Sequence, residues 1–220
     1  MTHPADFLAA VLARPGADAP RLAYADWLDQ HGDPLGKFIR VQCRLASLPW
    51  RHPEILELEE TEHALLAEHE LEWTSDLAGL VQWCGFRRGF VEEVALTSEQ
   101  FLEYAPLLFT RAPIQEVHLS AVRDRLGSIA SSAFLEKPSY LDLSSNAVRD
   151  HGAKTLAQSP HLAQVRGLNL SSSGIGDTGL RALAASPHLG NLRELYLDDN
   201  RISDSGVRQL AASPLANRLQ

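Results

Sequence analysis

From residue 138 to the end of the chain, hydrophobic and polar positions recur in blocks of 27. Leu141 and Leu143, Leu168 and Leu170, and Leu195 and Leu197 each flank one polar or aromatic residue. That alternation predicts a short strand with one buried face. A polar loop follows, carrying Asn146, Ser173 and Asn200 at equivalent positions. Apolar residues then switch to helical spacing: Ala153, Leu156 and Ala157; Leu180, Leu183 and Ala184; Val207, Leu210 and Ala211. Asp150, Asp177 and Asp204 precede these runs as expected helix N-caps, and Ser-Pro pairs at Pro160, Pro187 and Pro214 are expected to end the helices.

One strand-loop-helix unit buries too few side chains to offset the entropy of ordering its backbone. Neighbouring units must therefore stack, with parallel strands on one side and helices on the other. The loop amides then form a ladder between neighbours, with Ser173 as its weaker middle rung. Upstream the pattern decays but persists, placing Val117 and Leu119, and before them Val94 and Leu96, in strand register, for about five strands. Residues 1–73 read instead as helices near 6–13, 19–31, 34–46 and 54–72, with Asp18 and Asp33 as caps and Gly32 as a stop. Phe38, Val41, Leu45 and Leu48 form one apolar stripe, and Ile55, Leu58 and Leu65 another, both expected to be core.

The unit LNLSSSGIGDTGLRALAASPHL and its sisters resemble leucine-rich repeats of the ribonuclease-inhibitor-like class. The resemblance implies an α/β fold: a short right-handed solenoid of parallel strands with helices on its convex side. APRLAYADWLDQHGDPLGKFIRVQ, residues 19–42, and GFRRGFVEEVAL, residues 85–96, resemble the repeat-companion domain that precedes degenerate leucine-rich repeats in some bacterial proteins. Residues 1–75 are accordingly expected to form an α-helical companion module capping the first strand, and residues 76–220 the repeat domain. Both resemblances imply architecture. Neither implies an activity.

Charge and cysteine use narrow the setting. Residues 1–113 carry 9 Lys and Arg against 18 Asp and Glu, and residues 114–220 carry 11 against 10, for net charges of -9 and +1. Such a chain lacks the concentrated cationic surface that nucleic acids require. Two cysteines, Cys43 and Cys84, lie far outside any CxxC spacing and fit a reducing, cytoplasmic compartment. The N-terminus offers only a seven-residue apolar run from Phe7 to Ala13, so neither an export signal nor a membrane span is expected. The chain stops at Gln220 where another strand should begin, and that uncapped end is expected to be open, a route to self-association, or the mark of a shortened array.

Three motifs invite chemistry and are declined. Gly174, Gly176 and Gly179 spell GxGxxG, but the third glycine recurs as Gly152 and Gly206 with other residues at the first two positions. Gly32, Gly36 and Lys37 have the wrong spacing for a phosphate loop, with Phe38 where Ser or Thr belongs, and Trp73 replaces the second His of an HExxH motif begun by His69. No cofactor or metal site is expected. The leading expectation is a non-catalytic scaffold that binds a protein or peptide with basic groups through outward strand residues: Glu116, His118, Tyr140, Asp142, Asn169, Glu194, Tyr196 and Asp198. The alternative is an enzyme whose polar site spans Asp26, Asp29, His31 and Asp33, with the repeats selecting substrate.

Overall fold

The computed structural model describes residues 3–220, which divide into two compact units. The first comprises residues 3–79, 84–93 and 108–114, and the second residues 80–83, 94–107 and 115–220.

Four helices build the first unit: α1 (Pro4–Ala13), α2 (Asp18–Gln30), α3 (Pro34–Ser47) and α4 (Ile55–Trp73). Their bounds match the periodicity to within two residues. Its core gathers Val11, Ala25, Leu28, Ile39, Cys43 and Phe90. Asp33 caps α3, accepting the Leu35 N–H at 2.9 Å. Asp18, in contrast, is not a cap: the N-cap of α2 is Ala17, and no side chain closes that end. The second apolar stripe is also shallower than expected, since α4 buries none of its residues. The strands β1 (Trp83–Arg87) and β2 (Phe90–Thr97) are joined by the two-residue turn Arg88-Gly89, both at positive φ (51° and 84°), the geometry of a tight hairpin. Glycine is required there because a Cβ at position 89 would lie 2.6 Å from the Ile39 Cα. Beside the turn, Arg21 and Glu92 form a buried ion pair at 2.5 Å. Burial dominates the Glu92 carboxyl and pushes its pKa up, although Arg21 and Arg88 oppose that shift.

The second unit carries the repeats. After α5 (Ser98–Arg111) come β3 (Glu116–Ser120), α6 (Leu126–Ala130), β4 (Tyr140–Asp142), α7 (Arg149–Ala157), β5 (Gly167–Asn169), α8 (Asp177–Ala184), β6 (Glu194–Tyr196) and α9 (Asp204–Ala211). The sheet has six strands in the order β1-β2-β3-β4-β5-β6. The spacing anticipated about five parallel strands, whereas the sheet has six. From β3 onward the pairing is parallel, with Val117, Leu141, Leu168 and Leu195 in one register row and His118, Asp142, Asn169 and Tyr196 in the next. Leu141, Leu143, Leu168, Leu170, Leu156 and Leu183 are fully buried. The last repeat is less covered: Leu195 and Leu197 are half-buried and Val207 is exposed.

Polar side chains tie each repeat to its predecessor. Asn146 donates to the Leu119 carbonyl at 2.6 Å and accepts the Val122 N–H at 3.2 Å. Asn200 repeats this two units on, donating to the Leu170 carbonyl at 2.8 Å and accepting the Ile175 N–H at 2.9 Å. Ser173 keeps only the donor half, reaching the Leu143 carbonyl at 3.2 Å. At the far end of the helices, Ser159 donates to the Ala130 carbonyl and Ser186 to the Ala157 carbonyl, so the Ser-Pro pairs staple repeats together as well as ending helices.

The recurring aspartates act differently from the expected N-caps. Asp177 and Asp204 are the first residues of α8 and α9, and Asp150 the second of α7. Their carboxylates serve the following repeat: Asp150 Oδ1 accepts the N–H groups of Gly176 at 2.7 Å and Gly179 at 3.0 Å. Asp177 likewise accepts the Ser203 N–H at 2.8 Å and its hydroxyl at 2.6 Å. At positions 179 and 206 the recurrent glycine follows from this reach. A Cβ at position 179 would lie 2.8 Å from Asp150 Oδ1, and one at position 206 would strike Asp177 Oδ1.

Candidate functional site

The parallel strands present one side chain in two to solvent, and these form a continuous polar and aromatic band across β3 to β6. Its first row runs Glu116, Tyr140, Gly167 and Glu194, and its second His118, Asp142, Asn169 and Tyr196. Ser171 and Asp198 extend a third. Glu116, His118, Tyr140, Asp142, Asn169, Glu194 and Tyr196 lie in the first two rows, and all belong to the second unit.

Gly167 was not anticipated, and it organises the centre. A Cβ there would meet Tyr140 Cε2 at 2.8 Å, so the tyrosine ring lies over the glycine and fills the place of its missing side chain. From that position Tyr140 contacts His118 on one side and Tyr196 on the other, each with ring centroids 6.4 Å apart. Burial raises the Tyr140 phenol to about 12, helped by the negative field of Asp142, Tyr196, Glu116 and Glu194. It therefore stays a hydroxyl at any physiological pH. The register could have revealed the glycine, because the repeat places it where sister units carry Tyr140 and Glu194.

Carboxylates surround the rings. The His118 imidazole stands between two of them, Nε2 at 3.1 Å from Glu116 and Nδ1 at 3.5 Å from Asp142. Asp142 also accepts the Ser144 N–H at 2.7 Å and the Asn169 amide at 2.9 Å. Burial opposes its charge, but the hydrogen bonds from His118, Ser144 and Asn169 outweigh that and hold the carboxyl at about 2. Tyr196 is 42% exposed and donates its hydroxyl to Glu194 at 3.1 Å. Asp198 accepts the Ser171 hydroxyl at 3.3 Å. The band thus offers three adjoining rings, tilted to one another by 44° and 58° and one of them an imidazole, among four acids. Aromatic faces with nearby carboxylates suit a cation.

In the helical unit, the residues of the alternative cluster engage local partners. Asp26 and Asp29 both bind Arg40, the latter at 2.9 Å. His31 stacks on Trp27 with centroids 3.9 Å apart and points Nδ1 at the Trp27 carbonyl, and Asp33 is spent on its cap. Gly36, read against a phosphate loop, lies buried in α3, where a Cβ would come within 2.9 Å of the Ala25 carbonyl oxygen of α2. Each polar group there has a structural partner.

A family model described as leucine-rich repeat matches residues 139–157, 165–184 and 188–211, so this part of the chain carries leucine-rich repeats. Repeats of this kind are commonly protein-interaction modules and typically non-enzymatic. No curated protein matches the chain. Among the described residues, no helix is long and apolar enough to cross a membrane.

Proposed function

We propose that the chain is a non-catalytic scaffold that binds a partner protein through the outward face of β3 to β6, and that the partner presents a lysine or arginine to the aromatic strip. The observation that carries this reading is Tyr140, laid over Gly167 and in contact with both His118 and Tyr196, with Glu116, Asp142 and Glu194 around it. Aromatic residues held rigid among hydrogen-bonding groups are the composition of binding hot spots. A cation over such a ring contributes about 0.5–2 kcal/mol, more as water is excluded. Four strands at a spacing of roughly 4.8 Å give a platform of modest width, suited to a peptide or a helix of the partner. The resemblance to the ribonuclease-inhibitor-like class, the companion role of the helical unit and a cytoplasmic setting belong to the same reading. They rest on the sequence motifs and on two free cysteines.

The test compares the wild-type chain with a Tyr140→Ala, Tyr196→Ala, Glu194→Gln variant as bait in the native extract, followed by titration with each retained protein. Loss of roughly tenfold or more in affinity at unchanged thermal stability supports the reading, together with weakening by salt. Retention of the same proteins at equal affinity refutes it.

A further inference from the structure

The loops between strands and helices carry a second polar surface, distinct from the strand face and opposite in charge. A groove of about 570 Å³ runs across three successive repeats there. Ser173 and Gly174 lie at its centre, Arg149 and His151 come from the repeat before, and Arg201 from the repeat after. Register explains why it exists. Arg201 stands at the position that Ala147 and Gly174 occupy in the sister repeats, so two small residues leave space and one long residue bounds it. Gly174 holds φ at +70°, and a Cβ there would touch the Arg149 stem at 3.7 Å.

The charges in this groove are unequally engaged. Its one lining carboxylate, Asp150, already accepts two N–H groups, at 2.7 Å and 3.0 Å. Asp199, at the rim, accepts the Ser172 hydroxyl at 3.5 Å. Among the described residues, the side chains of Arg149, His151 and Arg201 have neither an ion pair nor a hydrogen-bonded acceptor. Two guanidinium groups bring ten N–H donors in planar forks that match tetrahedral oxyanions. The GxGxxG segment is not the cradle: Asp150 occupies the Gly176 and Gly179 N–H groups that a phosphate would need at the start of α8.

We propose that this groove binds a phosphate monoester, with Arg149 and Arg201 clamping the phosphate from opposite sides. A dianion answers two cations better than a single carboxylate does, and the groove is roomy enough to hold part of the group that carries it. A long polyanion is disfavoured by the chain's net charge of -8. The phosphate is borne either by a small molecule or by a phosphorylated side chain of a protein.

The experiment is an NMR titration of the full chain, following the amides of residues 172–174 and the Nε–H groups of Arg149 and Arg201. The probes are inorganic phosphate, O-phosphoserine, a phosphoserine peptide with its unphosphorylated twin, and an RNA oligomer. Saturable shifts confined to these groups, weakened roughly tenfold or more in an Arg149→Gln, Arg201→Gln variant but unchanged in Arg208→Gln, support the proposal. Tighter binding of the phosphopeptide than of O-phosphoserine assigns the phosphate to a protein side chain, and equal binding to a small molecule. No saturable shift with any phosphate probe, equal binding by the double variant, or RNA bound more tightly than every monoester would overturn it. Both substitutions are at exposed positions, and the dispersed Gly174 and Gly179 amides report that the repeats remain folded in the variant.

Discussion

Replacing Asp150 and Gly179 singly and together measures how one repeat completes the next. Asp150→Ala removes two charge-assisted hydrogen bonds, to Gly176 and to the buried Gly179 N–H. Bonds to charged groups contribute about 1.5–3 kcal/mol each, so the expected loss of the two is about 3–6 kcal/mol. Gly179→Ala places a methyl 2.8 Å from Asp150 Oδ1 and 2.9 Å from Ile175 Cγ2. It displaces the carboxylate while gaining about 1 kcal/mol of helix propensity, for a net loss of about 1–3 kcal/mol. Once the carboxylate is gone the methyl faces only Ile175 and Ala153, which can adjust, and the propensity gain survives. The double variant should therefore be more stable than the sum of the singles by about 1–2 kcal/mol. Urea unfolding at constant m reads all four species. Additivity within about 0.5 kcal/mol would refute the claim that the glycine is there to admit the preceding repeat's carboxylate.

Three further outcomes follow from the same geometry. Asn146→Ala, which strands the Leu119 carbonyl and the Val122 N–H, should cost about 2–4 kcal/mol in urea unfolding, against about 1 kcal/mol for Ser173→Ala with its single donor; the reverse order would contradict the ladder. The Asp142 carboxyl is held at about 2, below its ordinary 3.8, so its contribution is complete above 3.8 and disappears as pH falls through 2. The stability gap between wild type and Asp142→Asn should accordingly narrow over that interval, as acid titration followed by circular dichroism will show. Gly167→Ala should push the Tyr140 ring off the sheet with little loss of stability, seen as altered Tyr140 ring shifts by NMR and weaker partner binding.

Strand and helix positions in the repeats were legible because a strict period writes the same instruction three times, and Leu143, Leu170 and Leu197 count off one register. The helices of the first unit were equally plain, since Pro34 after Asp33 and Gly32 after α2 are local signals that act within one turn. The loop ladder between neighbours was legible too, but the other side-chain bonds to the adjoining repeat escaped. Asp150 reads as a cap for its own helix, because sequence proximity cannot reveal that the carboxylate crosses to Gly176. Ser159 and Ser186 read as helix stops, while their hydroxyls reach the previous helix. On the candidate surface, alternation located Tyr140, Asp142 and Tyr196, but the role of Gly167 lies in a side chain it does not have. The loop groove was hidden for a similar reason: it is the gap left where Ala147 and Gly174 stand in line with Arg201.

Because Asp150 and Asp177 each finish the helix start of the following repeat, the period of the sequence and the period of the bonding are out of phase. A cassette cut between an aspartate and the next glycine separates such a couple only at its two seams. Recombining such arrays, in nature or at the bench, should thus succeed when the donor's aspartate and the recipient's glycine travel as a matched couple.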